Sequence, residues 1–280
     1  MDGAVTVAII FAMHLLYADE TSLEPAKHEF FVYGGVAIPC DNAGELHRNY
    51  EGIRDQFKVP TNFLLKFNPG PGHLKHEEFV ALKKAVIEAA VKAKCTFLTT
   101  ISHHKIISSV DSARRGEINR ISFHFNALLN RRKDYGIILI DRFTDKQIDE
   151  HLREKFSVGL TDMPYAKTLR LARIVGFHYS AIGQSHFASL IDVLIGSMRF
   201  VIDAFSTRND TAVKTAQSIL QEIGPLFERT DDKRVSVLSI NFTPKIIKVE
   251  GYRNRYQELK HFLKVGGAEP EQEITDQRTY

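Results

Sequence analysis

The sequence predicts an α/β fold: a mixed β-sheet with helices on its faces and a helical extension at the C-terminus. Three observations point there. The runs Val5 to Tyr17 and Tyr135 to Ile140 are apolar with no helical stripe, the pattern of strands buried on both faces. Lys75 to Lys94, Gly116 to Arg132 and Ser185 to Phe205 repeat apolar residues at helical spacing. Finally, only a turn separates the first two strands, which suits an antiparallel pair, whereas the later strands alternate with helices.

In order along the chain, the first strand ends at Tyr17, and Thr21 to Lys27 reads as a turn. A second strand covers His28 to Ile38 and stops at Pro39. Asn42 to Phe57 has helical spacing, with Asp41 or Asn42 as its cap. Asn62 to Phe67 is expected as a third short strand, closed by the loop Pro69-Gly70-Pro71-Gly72. After the Lys75 to Lys94 helix come a strand (Cys95 to Ser102), the Gly116 to Arg132 helix and a strand (Gly136 to Asp141). A short helix at Lys146 to Phe156, a strand centred on Ile174 to Tyr179 and the long helix Ser185 to Phe205 follow. Beyond it, Thr207 to Arg229 holds a helix, Arg234 to Phe242 a strand and Arg253 to Leu263 a closing helix. No linker marks a second domain, so residues 206–264 are expected to pack as an extension on a domain of residues 1–205. The polar stretch 265–280 is expected as a disordered tail.

Composition narrows the class. A hydrophobic fraction of 44% can form a full core, and a net charge of +3 neither requires nor opposes nucleic-acid binding. Two cysteines, Cys40 and Cys95, form neither a disulfide framework nor a zinc knuckle, and a reducing cytosol is the expected setting. The N-terminal apolar run is too short to span a membrane and does not follow a basic segment. Among the 12 histidines, His103-His104 and His73-x-x-His76 invite a metal reading but lack the spacing of zinc motifs.

The chemistry is expected in the acids. Asp19 and Glu20 end the first buried strand, Asp141 ends another, and Asp192 sits inside the apolar helix from Ser185. Acids where buried strands leave a sheet need neutralising, and a divalent cation does that. Asp-Glu-Thr-Ser also suits a solvated turn, and Asp141 beside Arg142 another. Asp192 is flanked at four residues by Ala188 and Gly196, on its own side of the helix, so a neighbouring backbone can come close. Two strand-end acids and a helix acid form the carboxylate arrangement of metal-dependent nucleases. In that reading Asp19, Asp141 and Asp192 hold Mg²⁺ or Mn²⁺, and Glu20 orients a ligand or completes the shell. Lys66 is the basic candidate for a phosphate, or a strand-end lysine snorkelling to solvent. Ser185 and His186 open the Asp192 helix, where free N–H groups favour an anion. Ser185 also suits a plain cap, and His186 a proton shuttle.

These residues carry a resemblance. Tyr17-Ala18-Asp19-Glu20-Thr21-Ser22, Gly34-Gly35-Val36, the strand-end Asp141 and Ser185…Leu190-Ile191-Asp192…Gly196 together resemble the domain-of-unknown-function family 3800 over roughly residues 10–205. Ser22 stands for that family's glycine, Ile191 for its alanine, and Leu64 where a glutamate often precedes the lysine of the third strand. The resemblance implies a ribonuclease H-like fold and metal-dependent cutting of DNA or RNA, with a defence role against phages or mobile elements. A protein partner or a second copy stays open. The alternatives are a non-catalytic nucleic-acid- or protein-binding module on the same fold, or a phosphotransferase using the same acids. No Gly-x-x-x-x-Gly-Lys phosphate loop supports a nucleoside triphosphatase.

Overall fold

A computed structural model describes residues 12–277 except 144, 146, 164 and 165; for 162, 163 and 166 it describes the backbone alone. Val5 to Phe11 of the first apolar run and residues 278–280 lie outside the described residues. The chain runs β1 (Met13–Thr21), β2 (Phe30–Pro39), α1 (Cys40–Gln56), α2 (His76–Lys92), β3 (Thr96–His103), α3 (Val110–Arg132) and β4 (Tyr135–Asp141). It continues through α4 (Ile148–Ser157), β5 (Leu160–Met163), β6 (Ala166–Leu169), β7 (Ile174–Ser180), α5 (His186–Thr207), α6 (Asp210–Ile223), β8 (Ile240–Thr243) and α7 (Glu250–Val265).

The expected α/β class is what is found: a mixed sheet of six strands in the order β7-β4-β1-β2-β3-β8, flanked by helices. β1, β2 and β3 pair antiparallel, while β4 runs parallel to β1, β7 to β4 and β8 to β3. The short connection from β1 to β2 can only reverse the chain, which makes that pair antiparallel, whereas α1 and α2 lie between the antiparallel β2 and β3.

Strand residues alternate between two cores, as the pleat requires. Tyr17 and Val36 face a larger core with Leu46 of α1, Val86 of α2, Leu194 of α5, Leu220 of α6 and Leu259 of α7. Leu16, Ala18, Ile138 and Ile140 face a smaller one with Phe125 and Leu128 of α3 and Leu152 of α4. Helix α5 is buried nearly all round, as its uniformly apolar sequence demands. Among the described residues no helix is long and apolar enough to cross a membrane.

Five expectations need correction. Neither Asp41 nor Asn42 caps α1, which starts at Cys40 with Pro39 before it. Asn62 to Phe67 is not a strand. Its backbone groups are met by distant side chains instead: Arg54 Nη2 donates to the carbonyls of Pro60 (2.6 Å) and Phe63 (3.1 Å), and Asp192 takes the Phe67 N–H. α3 begins at Val110 rather than Gly116, because Ser109 Oγ caps it by accepting the Ser112 N–H (3.2 Å). The strand expected over Arg234 to Phe242 shrinks to β8, since the stretch before it is turns. Residues 266–277 do not form the expected free tail. Ala268 is fully buried, the Val235 N–H donates to Glu269 O (2.7 Å), and the Glu271 N–H donates to Val235 O (2.8 Å). Residues of 206–264 share the larger core and supply β8 to the main sheet.

Candidate functional site

The site begins with strand register. Ala18 of β1 lies beside Ile140 of the parallel β4, so the next residues, Asp19 and Asp141, end neighbouring strands at one edge of the sheet. Both occupy positions of the pleat that face α5, in phase with Tyr17 and Leu139. Across β2, Asp19 pairs with Gly34, where a Cβ would meet Leu98 O at 3.2 Å and Ile195 Cδ1 of α5 at 3.4 Å. The tighter of these contacts is with the neighbouring β3, while α5 lies at ordinary contact distance over the glycine.

Asp192 reaches the same region from α5. Its Oδ1 accepts the Phe67 N–H at 2.7 Å. The small neighbour expected to clear its path does so: a Cβ on Gly196 would come 2.3 Å from Phe67 Cβ. One carboxylate oxygen of Asp192 therefore anchors the 60–72 loop, and the loop holds Lys66 where its charge acts on Asp141. Lys83 Nζ supports the same loop, 4.1 Å from the Phe67 ring centroid.

The electrostatics mark these acids. Burial pushes the Asp19 carboxyl up to about 8, with the negative charges of Glu20, Asp141 and Asp192 adding to the rise. Burial also raises Asp141; Asp192 pushes the same way, while the Arg142 amide and Lys66 pull it down. Among the described residues none of Asp19, Asp141 and Asp192 makes an ion pair.

Glu20 differs. It projects to the opposite face, where Arg114 Nη2 of α3 meets its Oε1 at 2.6 Å. Its carboxyl is still held above the ordinary range, by burial first, against the pull of Arg114. The buried Tyr33 hydroxyl faces the charges of Glu20 and Asp19, and its own ionisation is pushed far up, mainly by burial.

Ser185 is the cap of α5, its Oγ accepting the Phe187 N–H at 3.1 Å. The His186 ring stacks on Tyr50 of α1, with centroids 4.7 Å apart. His103 and His104 are occupied elsewhere, His104 Nε2 lying 2.7 Å from Ser22 O.

Sequence reasoning missed Arg114, Tyr33 and Arg199. Arg199 lies two helical turns beyond Asp192 on the same side of α5, a spacing visible in the sequence, and its Nη1 donates to Thr21 Oγ1 at the end of β1 (3.2 Å). Arg114 and Tyr33 left no such signal, because their roles depend on which face Glu20 takes.

The donor set at the strand ends is all carboxylate, which suits a hard, oxygen-seeking divalent cation. Among the described residues the three acids do not form a group whose ligand atoms all lie within 4.8 Å of one another; His47, Glu51 and His186 do. No protein-family model matches the chain, and no curated protein matches it.

Proposed function

We propose that the chain is a divalent-metal-dependent nuclease with a ribonuclease H-like fold, allied to the domain-of-unknown-function family 3800. The observation that carries this is the charge stress on Asp19 and Asp141, two acids without ion pairs at neighbouring parallel strand ends, to which the charge of Asp192 from α5 adds. Such acids are costly unless protonated or bound to a cation. The strand order β3-β2-β1-β4-β7, antiparallel on one side of β1 and parallel on the other, supports the fold assignment.

In this reading Asp19, Asp141 and Asp192 hold Mg²⁺ or Mn²⁺. Ligand atoms spread beyond one ion's shell suit a pair of ions, which in two-metal sites lie about 3.5–4 Å apart. The bound ions supply activation of the attacking water and stabilisation of the leaving oxygen. Lys66 and Arg199 flank the acids and take the phosphate backbone. Glu20, tied to Arg114, contributes charge that sharpens the demand for a cation at Asp19 rather than a ligand oxygen. A binding module on the same fold is the second reading. It is favoured by the use of one Asp192 oxygen as a loop anchor and by Leu64 in place of an acid.

The test is a panel of single- and double-stranded DNA and RNA incubated with Mn²⁺ or Mg²⁺. Wild type should cut at least one substrate, and Asp141→Ala should abolish cutting with its thermal unfolding still cooperative. Lys66→Ala should lower the log–log salt slope of binding by slightly under one unit, about 0.7–0.9 for a phosphate that is no longer neutralised. Binding without cutting that is indifferent to Asp141→Ala would replace the enzyme with the binding module.

A further inference from the structure

A second set of ligands lies away from the strand ends, at the junction of α1 and α5. His47 and Glu51 stand one turn apart on α1 and so share a face. His186 is the first residue of α5 and comes to them from the other side. His47 Nε2 is 3.4 Å from Glu51 Oε1, and His186 Nε2 is 3.9 Å from the same oxygen. The donor atoms of all three lie within 4.8 Å of one another.

The placement is built rather than incidental. His186 lies flat on the fully buried Tyr50, 4.7 Å between centroids and 12° between planes. The His47 ring lies 5.0 Å from that of His186, tilted by 29°. Ser185 fixes the backbone just before it by capping α5. His186 is thus oriented by a rigid platform, and the two α1 ligands by the helix that carries them.

Metal geometry can be compared directly. A tetrahedral ion with bonds of about 2.0–2.1 Å sets its ligand atoms roughly 3.3 Å apart. The His47–Glu51 separation of 3.4 Å already matches that edge, while His186 lies 3.9 Å from the same oxygen and within 4.8 Å of the His47 donor, so its half-buried ring moves inward to complete the set. Two imidazole nitrogens and one carboxylate oxygen favour zinc and its borderline neighbours over Mg²⁺, which prefers oxygen alone. Three protein ligands leave a fourth position for water, and the exposure of His47 and Glu51, at 51% and 54% of their side chains, leaves a path from solvent.

We propose that His47, Glu51 and His186 form a site for a divalent transition metal of the zinc class, distinct from the acids at the strand ends and independent of the nuclease reading. An ion here would clip α1 to the first turn of the helix that delivers Asp192. It would stabilise that junction by mass action, since the three ligands converge only in the folded chain.

The experiment uses the full untagged chain, with Co²⁺ as a visible probe and Zn²⁺ as competitor. Wild type should show the intense ligand-field absorption of four-coordinate Co²⁺, and one equivalent of Zn²⁺ should abolish it. Losing an outer-shell partner alone weakens metal binding about 10–100-fold, so His47→Ala and His186→Ala should each weaken Zn²⁺ binding by at least ~100-fold. His47→Ala should keep the metal-free melting temperature within a few degrees, His47 being exposed, and so serves as the control for any packing lost with the His186 ring. The Asp19→Asn, Asp192→Asn double variant should keep the Co²⁺ spectrum and the Zn²⁺ stoichiometry, which separates this site from the acids. No Co²⁺ band and no Zn²⁺ uptake in wild type would overturn the proposal. So would binding that survives both His variants, or binding abolished in the acid variant.

Discussion

Asp19 and Glu20 are neighbours in one strand with opposite surroundings. Glu20 turns toward α3 and meets Arg114 at 2.6 Å; Asp19 turns toward α5 and meets other acids. Burial raises both carboxyls, but only Asp19, with no ion pair, rises to about 8. Two acids at similar depth thus reach two solutions: one is paired with a base by the fold, and the other is pushed towards its protonated form. Desolvation alone does not single out a candidate cation ligand; burial without a basic partner does.

The strongest way to break the contrast is to remove the partner on the satisfied side. Arg114→Ala would leave Glu20 buried and uncompensated, and stability at pH 7 should fall by about 3–5 kcal/mol in urea unfolding. The deficit should shrink as the pH falls and Glu20 protonates. A drop under ~1 kcal/mol would show that the pair acts as a surface contact and that the two acids do not differ as described.

Removing the charge on the other side should do the reverse. An aspartate titrates near 3.9 in the unfolded chain and Asp19 near 8 in the folded one, so between those values the folded state binds more protons. The contribution of Asp19 to metal-free stability therefore falls as pH rises from about 4 to 8. Asp19→Asn should be the more stable at pH 8 by ~1–3 kcal/mol, with the gap closing towards pH 4. Mg²⁺ or Mn²⁺ at 100 times its Kd should raise wild-type stability by about 2.7 kcal/mol and leave Asp19→Asn unmoved. A gap constant across pH, or equal metal responses, would remove the case for a cation at Asp19.

The finest probe is Tyr33, whose buried hydroxyl faces both acids without a hydrogen-bond partner. Tyr33→Phe should change stability by less than ~1 kcal/mol, on the stabilising side, because the hydroxyl gives up its water without gaining a bond. A clear fall in denaturant midpoint would reveal a partner, and with it a second satisfied polar group on the Glu20 face.

Much of this is legible in the sequence, for reasons that can be named. Continuous apolar runs locate β1 and β4 and put Asp19 and Asp141 at their ends, but that the two strands lie side by side and parallel is settled by the sheet order. Gly196 announces a close approach beside Asp192, although the approaching group is a loop and not a strand. That loop reads as a strand from its apolar sequence and is not one because its backbone is satisfied by Arg54 and Asp192, contacts that no local pattern records. The partner of Glu20 is hidden for a related reason: the face a strand-end acid takes is settled by register, and Arg114 comes from another layer. His47 and Glu51 carry a visible helical spacing, but their third partner is brought in only by the packing of α5 on α1.

The chain's last described stretch has a further consequence. β8 is an outer strand of the sheet, and an outer strand offers unused backbone groups to any other chain that can lie alongside. Here the Gln272 side chain stands in for such a chain. Its Oε1 accepts the Phe242 N–H at 2.7 Å and its Nε2 donates to Phe242 O at 2.8 Å, while Asn241 Nδ2 donates to the same Oε1 at 3.0 Å. One amide thereby imitates the hydrogen bonds of a missing neighbour strand and covers the border of the sheet at Phe242. The polar composition that makes this segment look dispensable is what lets it serve as a seal.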